Sequence, residues 1–205
     1  MKKKQRAFLK WAGGKFKLVD ALTQHLPKGE RLVEPFVGAG SVFLNTDYPS
    51  YLLCDINRDL IDLYSIIQTR PEAYIGAAAE LFVPQMNDKE QYYLIRDKFN
   101  RSRDPFDRAI YFLYLNRFGF NGLCRYNRKG SFNVPFGSYK KPYFPEKEIR
   151  GFAVKAQNAE FRCIGYEQAF ALAQSGDVIY CDPPYAPPIN HRQLYYLCWG
   201  WLLFG

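Results

Sequence analysis

Four short apolar runs punctuate this chain, and between them the hydrophobic positions change from continuous to helically spaced. Arg31-Leu32-Val33-Glu34 and Tyr51-Leu52-Leu53-Cys54-Asp55 read as the first two strands. Residues 158–166 (Asn-Ala-Glu-Phe-Arg-Cys-Ile-Gly-Tyr) read as the third, and Asp177-Val178-Ile179-Tyr180-Cys181 as the fourth. Runs of this length without alternation suit strands covered on both faces. Leu18, Ala21, Leu22 and Leu26 recur at helical spacing until Pro27-Lys28-Gly29 stops them, and the chain is expected to turn helical from Ser41 through Val42, Phe43 and Leu44. Asn57 is placed to cap a helix from Arg58 to about Gln68, with Leu60, Ile61, Leu63, Tyr64 and Ile67 on its apolar face. A further helix runs through Phe170, Leu172 and Ala173 after the third strand. Strand and helix in this succession predict a doubly wound, Rossmann-like α/β sheet of about four strands.

The succession is interrupted between about residues 70 and 150. Within that stretch Asp104 caps a helix with Pro105 at its first position and Asp107 in its first turn. Ala109, Phe112, Leu113 and Asn116 mark one face, and Gly119 ends it. Asn121-Gly122 is a turn, and residues 123–127 and 131–134 read as a hairpin around Arg128-Lys129-Gly130. At 205 residues the chain can hold one domain with such an insertion.

Charge changes the picture of that insert. Residues 89–150 carry 14 Lys/Arg against six acids, an excess equal to the whole chain's net charge of +8, so the rest is neutral. Interleaved with Tyr, Phe and Asn, this basic block resembles a nucleic-acid surface more than an ordinary solvated face. A helix feeding a basic hairpin is a plausible groove reader, with Arg125 in the first arm, and Ser138 through Lys141 suit phosphates. Cys54, Cys124, Cys163, Cys181 and Cys198 form no Cys-x-x-Cys pair, and only two histidines accompany them. No metal site is expected, and the pattern fits a reducing cytosol, hence a cytoplasmic protein. The basic start Met1-Lys2-Lys3-Lys4 runs into no long apolar core, so neither a signal peptide nor a membrane partner is expected.

Three stretches and one acid carry candidate chemistry. Phe8-Leu9-Lys10-Trp11-Ala12-Gly13-Gly14-Lys15 joins a lone Trp to a Gly-Gly turn that lets the backbone approach a ligand, or is simply a helix-leading loop with a core Trp. Pro35-Phe36-Val37-Gly38-Ala39-Gly40 follows the first strand as the nucleotide-binding turn of a doubly wound sheet. The third glycine of the dinucleotide fingerprint is replaced by Phe43, which argues against a pyrophosphate at a helix N-terminus and for a ligand lying over the turn. Asp55 ends the second strand 17 residues after Gly38, where an acid accepts hydrogen bonds from ribose hydroxyls; a capping acid is the alternative. Asp182-Pro183-Pro184-Tyr185 closes the fourth strand with a carboxylate, stiff backbone offering only carbonyl acceptors, and a ring. That cluster suits a planar group bearing an NH2, although an Asp-Pro turn is the plainer reading of the tetrapeptide alone.

Phe8–Lys15, Glu34–Gly40, Asp55, the basic insert and Asp182–Tyr185, in this order and together, closely resemble the DNA adenine methyltransferases, more narrowly the Dam type that methylates adenine N6 in GATC, over about residues 5–187. The resemblance implies a Rossmann-like S-adenosylmethionine-dependent methyltransferase sheet of residues 1–69 and 151–187, with residues 70–150 an inserted, mostly helical target-recognition domain bearing the β-hairpin. It assigns Trp11, Lys15, Phe36, Gly38, Gly40, Asp55 and Asp182 to S-adenosylmethionine and Asp182, Pro183 and Tyr185 to catalysis on a flipped adenine. Lys10, Asn121, Leu123, Arg125 and Pro135 carry over to base contacts on double-stranded DNA, with Arg117, Phe120, Tyr139 and Lys140 as further DNA-binding residues. Phe118 and Phe120 stand where intercalating tyrosines are expected. The protein is expected to be monomeric and to sit on the nucleoid of a bacterial or phage host. After Pro187 the family continues toward a seven-stranded sheet, whereas residues 188–205 are expected to be an anomalous tail of out-of-frame or misjoined sequence. With a strand order 3-2-1-4, the strand bearing Asp182 is then expected at an edge. A chain that binds DNA without catalysis remains a competing reading; an amino-methyltransferase for RNA or protein is disfavoured by the basic hairpin.

Overall fold

A computed structural model describes residues 4–183. Pro184, Tyr185 and the expected tail 188–205 lie outside the described residues. The four apolar runs form β1 (Arg31–Glu34), β2 (Ser50–Cys54), β3 (Ala159–Arg162) and β4 (Asp177–Ile179), paired in parallel in the order β3-β2-β1-β4. Leu32 lies beside Tyr51 and Val178, and Val33 beside Leu52 and Ile179. Because successive side chains leave a strand on opposite faces, Leu32, Tyr51, Leu53 and Val178 enter one core while Val33, Leu52, Cys54 and Ile179 enter a second, smaller one. Among the described residues β4 pairs with β1 alone, which places it at the edge.

Seven helices join the described strands: α1 (Val19–His25), α2 (Arg58–Thr69), α3 (Pro71–Ala79), α4 (Lys89–Arg101), α5 (Pro105–Phe118), α6 (Glu146–Lys155) and α7 (Tyr166–Ala171). The caps fall where the sequence puts them. The Asn57 side chain accepts from the Leu60 N–H (3.3 Å) and that of Asp104 from the Asp107 N–H (2.9 Å). Each such cap contributes about 1 kcal/mol. Large aromatic side chains fill the larger core: Tyr64 tilts against Phe152 at 4.6 Å between centroids, and Phe8 meets both rings edge-on. This core runs without a break from the sheet through α2 and α5 to Phe99, Phe112 and Phe132, so the basic insert packs on the sheet domain rather than around a centre of its own.

Several expectations are corrected. The third strand ends at Arg162, because Gly165 is already the N-cap residue of α7; Tyr166 is therefore helical, and Leu172 and Ala173 lie past the helix end. Residues 41–44 do not start a helix. The chain makes only a 3-10 turn at Phe43–Asn45, where the Asn45 amide returns to the Ser41 carbonyl (2.8 Å) and the Thr46 hydroxyl to that of Val42 (3.0 Å). Leu18 is 50% exposed, and Val19 and Leu22 take the core face of α1 instead.

The basic hairpin reverses at Arg128-Lys129-Gly130 as expected but forms no regular strands. An isolated bridge pairs Tyr126 with Phe132, and Asn127 and Asn133 donate to Ser131 (2.8 Å) and Arg125 (3.1 Å). The α4 side chains take the backbone groups that a strand partner would otherwise use. Asn100 bonds both the N–H and the carbonyl of Phe132 (2.8 and 3.1 Å), while the Tyr92 hydroxyl and Arg96 reach the Val134 carbonyl (3.0 and 3.2 Å).

Candidate functional site

The ends of β1, β2 and β4 open on a cavity of about 940 Å³. Its walls bring together Trp11 and Lys15 from the N-terminal loop, Phe36 and Gly38 from the turn after β1, Asp55 after β2, and Asp182 and Pro183 after β4. Four stretches far apart in sequence thus share one concave surface at the carboxyl ends of parallel strands, where open α/β sheets bind ligands. Gly40 turns the chain at φ 69° and does not itself appear among the lining residues.

Each wall is fixed by identifiable contacts. Gly38 adopts φ 47°, its N–H donates to Asp55 Oδ2 (3.2 Å), and its carbonyl accepts the Tyr64 hydroxyl (2.6 Å). The indole of Trp11 packs so closely that a Cβ on Gly38 would come within 2.9 Å of Trp11 Nε1. Asp55 also accepts from the Asn57 N–H (2.9 Å), so both its oxygens hold loop backbone while Asn57, not Asp55, caps α2. Burial pushes the Asp55 carboxyl up, and the N–H groups of Asn57, Gly38 and Ile56 pull it back. Lys15 bridges the cavity mouth: its ammonium meets Asp182 Oδ2 at 2.6 Å and donates to the Gly13 carbonyl at 3.0 Å. The loop reading of Trp11–Lys15 and the strand-end reading of Asp182 therefore meet in one ion pair.

Glu34, which ends β1 and opens the Glu34–Gly40 motif, is a principal feature of the wall. It is 2% exposed, lines the cavity, and its Oε1 has no hydrogen-bond partner among the described residues. Desolvation pushes its carboxyl up to about 8, opposed by the Phe43 N–H and aided by the Asp182 charge. A buried acceptor left unmatched is costly unless a donor or cation arrives. Unfolded, the group ionises near 4.5; folded, near 8. Between these values the folded state holds a proton that the unfolded state has lost, so its contribution to stability is full below about 4.5 and is lost as pH rises to about 8. The unliganded chain is accordingly expected to melt about 10 °C lower at pH 8 than at pH 5, with Glu34→Gln flattening that fall, as calorimetry would show. An unchanged pH profile in the variant would refute this role of Glu34.

Other lining residues also escaped the sequence reading: Ile56, 80% exposed beside Asp55; Tyr166, stacked on Phe36 at 5.7 Å; and Cys124 and Tyr126 from the hairpin. The signal for the last two was alternation, since residues 124 and 126 flank outward Arg125.

Several of the expected DNA-contacting residues are linked to one another outside the cavity lining. Asn116, buried on α5, accepts from the Lys10 N–H (2.8 Å) and donates to the carbonyls of Lys10 (2.7 Å) and Gly122 (3.1 Å). It thereby ties the N-terminal loop to the turn holding Asn121 and Leu123. The Lys10 ammonium lies 3.8 Å from the Tyr139 ring centre and donates to the Arg117 carbonyl (3.2 Å); burial first, then Arg117, lowers its pKa. Asn121 is exposed in left-handed backbone (φ 53°), and Pro135 and Lys140 are exposed. Arg117 donates to the Tyr143 carbonyl (3.0 Å), and exposed Arg125 donates to Asn133 through Nε (2.8 Å) and Nη2 (3.2 Å). Phe118 corrects the intercalation reading. It is 1% exposed and stacked on Tyr114 at 4.2 Å, because it closes the core face of α5, whereas Phe120 is 49% exposed. Among the described residues, no group of three or more His, Cys, Asp or Glu could hold a metal, and no helix is long and apolar enough to cross a membrane.

Residues 11–200 match the family described as D12 class N6 adenine-specific DNA methyltransferase. The chain is 65% identical over 185 residues to a DNA adenine methylase of Escherichia coli (strain K12), which covers 90% of this chain and 66% of that protein. It is 65% identical to one from Vibrio cholerae serotype O1, covering 67% of it, and 60% identical to one from Serratia marcescens, covering 68%. The chain therefore spans about two thirds of the length of these relatives.

Proposed function

Because the chain belongs to the D12 class N6 adenine-specific DNA methyltransferase family, we propose that it methylates adenine N6 in duplex DNA, within GATC, with S-adenosylmethionine as donor. The observation that carries this reading is the meeting of Trp11, Lys15, Gly38, Asp55 and Asp182 around one cavity, with Lys15 and Asp182 paired at 2.6 Å. The residues present fit the donor. The orphaned oxygen of Glu34 suits its ammonium, Asp55 its ribose, and the apolar faces of Ile56, Phe36 and Tyr166 its purine. A side chain at Gly38 would fill the cradle. When bound, S-adenosylmethionine supplies an electrophilic methyl group on a sulfonium.

The chain's own contribution is to make a weak nucleophile adequate. An adenine amino lone pair is delocalised into the ring. Asp182 and the Pro183 carbonyl would each accept one amino hydrogen, which draws the nitrogen toward tetrahedral geometry and stabilises the positive charge developing there. Lys15 fixes the Asp182 carboxylate so that this acceptor is preorganised. Tyr185 would stack on the extruded base and offset part of a flipping cost of a few kcal/mol. Lys10, Arg117, Phe120, Asn121, Leu123, Arg125, Pro135, Tyr139 and Lys140 serve as the DNA surface, phosphate contacts fixing register and Arg125 reading a guanine. The protein acts in the compartment of its DNA, the cytoplasm of a bacterial cell.

Labelled methyl transfer from S-adenosylmethionine to GATC and scrambled duplexes, with gel-shift binding alongside, tests the assignment. Label confined to GATC is the expected result. Equal labelling of both removes the GATC assignment, and binding without transfer leaves a DNA-binding chain that is not an enzyme.

A further inference from the structure

One buried side-chain network between the cavity and the DNA surface is unused by the proposed chemistry. Asp59, almost fully buried on α2, receives Arg108 through Nε (2.8 Å) and Nη2 (2.7 Å) on Oδ1, and the Tyr126 hydroxyl (2.6 Å) on Oδ2. Arg108 also donates to the carbonyls of Phe99 (2.7 Å) and Ser102 (3.1 Å), which fixes the end of α4. Tyr126 lies edge-on to Phe132 at 5.7 Å, across the bridge that pairs the hairpin arms. One residue earlier but one, Cys124 accepts from the Asn57 amide (3.4 Å), and Asn57 is held by Asp55. The inward residues 124 and 126 are thus both anchored to the α2 entrance, and Arg125 between them is left facing solvent.

We propose that Tyr126, through its bond to Asp59, is a positioning residue for Arg125. The hydroxyl sets the height and rotation of the first hairpin arm over the sheet domain, and so sets where the Arg125 guanidinium meets a base edge. The arms share one isolated bridge, few backbone bonds and the Arg125–Asn133 contact, and the second arm is held by α4, so the first arm takes its placement over the sheet domain from its own anchors. A bidentate reader is demanding: its two donors must meet two acceptors in one plane, and a tilt of the arm forfeits one of them. Asp59 is held independently by Arg108, so the anchor is rigid before Tyr126 reaches it. The same arm supplies cavity wall at Cys124 and Tyr126, which places the target-reading arm and the donor site on one support.

This inference rests on the proposed function, and a double-mutant cycle separates the two. The full chain, Tyr126→Phe, Arg125→Ala and the double variant are compared for binding GATC and a duplex with one base pair changed, with S-adenosylhomocysteine present, by fluorescence anisotropy. Tyr126→Phe keeps the ring on Phe132 and leaves Asp59 paired with Arg108, so the fold is retained. Its preference for GATC is expected to fall about tenfold, Arg125→Ala is expected to lose at least as much, and the double variant no more than Arg125→Ala. A merely structural role would not produce that non-additivity. Undiminished preference in Tyr126→Phe, or effects that multiply in the double variant, overturns the positioning role while leaving the proposed function standing. No preference in the unsubstituted chain overturns the GATC reading and this inference with it.

Discussion

Asp182→Ala is expected to lower methyl transfer by about a hundredfold to a thousandfold, the effect of deleting one preorganised group that stabilises transition-state charge, and to leave duplex binding within about twofold. The asymmetry follows from position. Asp182 stands past the carboxyl end of β4 on the cavity wall, paired with Lys15 at 2.6 Å, whereas Arg125 bonds Asn133 within its own hairpin. Removing it deletes the acceptor that would stabilise charge on adenine N6 and releases the Lys15 ammonium into the space the amino group needs. Asp182→Asn is a sharper version, since it keeps the volume but replaces one acceptor by a donor, which repels an amino hydrogen. Single-turnover transfer measured beside anisotropy binding separates the two quantities. A variant that methylates within threefold of the unsubstituted chain would sink the scheme, and one that loses binding in parallel would recast Asp182 as a structural residue.

Lys15 gives the companion view of the same pair. Its charge contacts Asp182 across the mouth of the cavity, and its other donor goes to the Gly13 carbonyl of its own loop. The Gly-Gly turn therefore lets the lysine fold back on itself rather than merely letting a ligand approach. Nothing local in Trp11–Lys15 names a partner 167 positions away, so this contact is not legible in the sequence.

What the sequence disclosed and what it did not divide along physical lines. The strands were legible because burial on both faces leaves continuous apolar runs at Leu32-Val33, Leu52-Leu53 and Val178-Ile179, and the caps at Asn57 and Asp104 were legible because capping is local chemistry. The order of the strands came from the family resemblance, since parallel pairing is set by crossovers that no short-range pattern records. The hairpin was legible as a reversal but not as a pairing. Its arms bond to Asn100, Tyr92 and Arg96 of α4, and such side-chain substitution for a ladder has no periodic signature. Phe118 and Phe120 look alike in sequence and differ wholly in place, one in the core face of α5 and one exposed past its end. Glu34 was legible only as the first residue of the Glu34–Gly40 motif: an acid closing an apolar strand reads as its polar boundary, and its burial with an unmatched oxygen had no local signal.

Gly38→Val is expected to abolish measurable binding of S-adenosylhomocysteine, a loss of at least about fiftyfold, with destabilisation of about 2–4 kcal/mol. Two independent effects converge. At φ 47° a β-branched residue is strained by its own backbone, and its Cβ would also lie 2.9 Å from Trp11 Nε1 and 3.1 Å from Trp11 Cδ1. The turn cannot slide away to relieve either. Its N–H is held by Asp55 and its carbonyl by the Tyr64 hydroxyl, so a shift at residue 38 would unseat the acid proposed for the ribose and orphan a buried hydroxyl. Adding Trp11→Ala should remove the steric part but not the backbone part, so the double variant should regain stability yet still bind poorly. Gly76→Ala is the matched control: that glycine sits within α3 with nothing inside 4 Å of an added Cβ, and its replacement should stabilise the helix by about 0.5–1 kcal/mol. Isothermal titration and thermal melts on the four proteins read both quantities. Gly38→Val binding within threefold of the unsubstituted chain would mean that the turn is not the cradle of the cavity, and the assignment of the donor to this wall would fall with it.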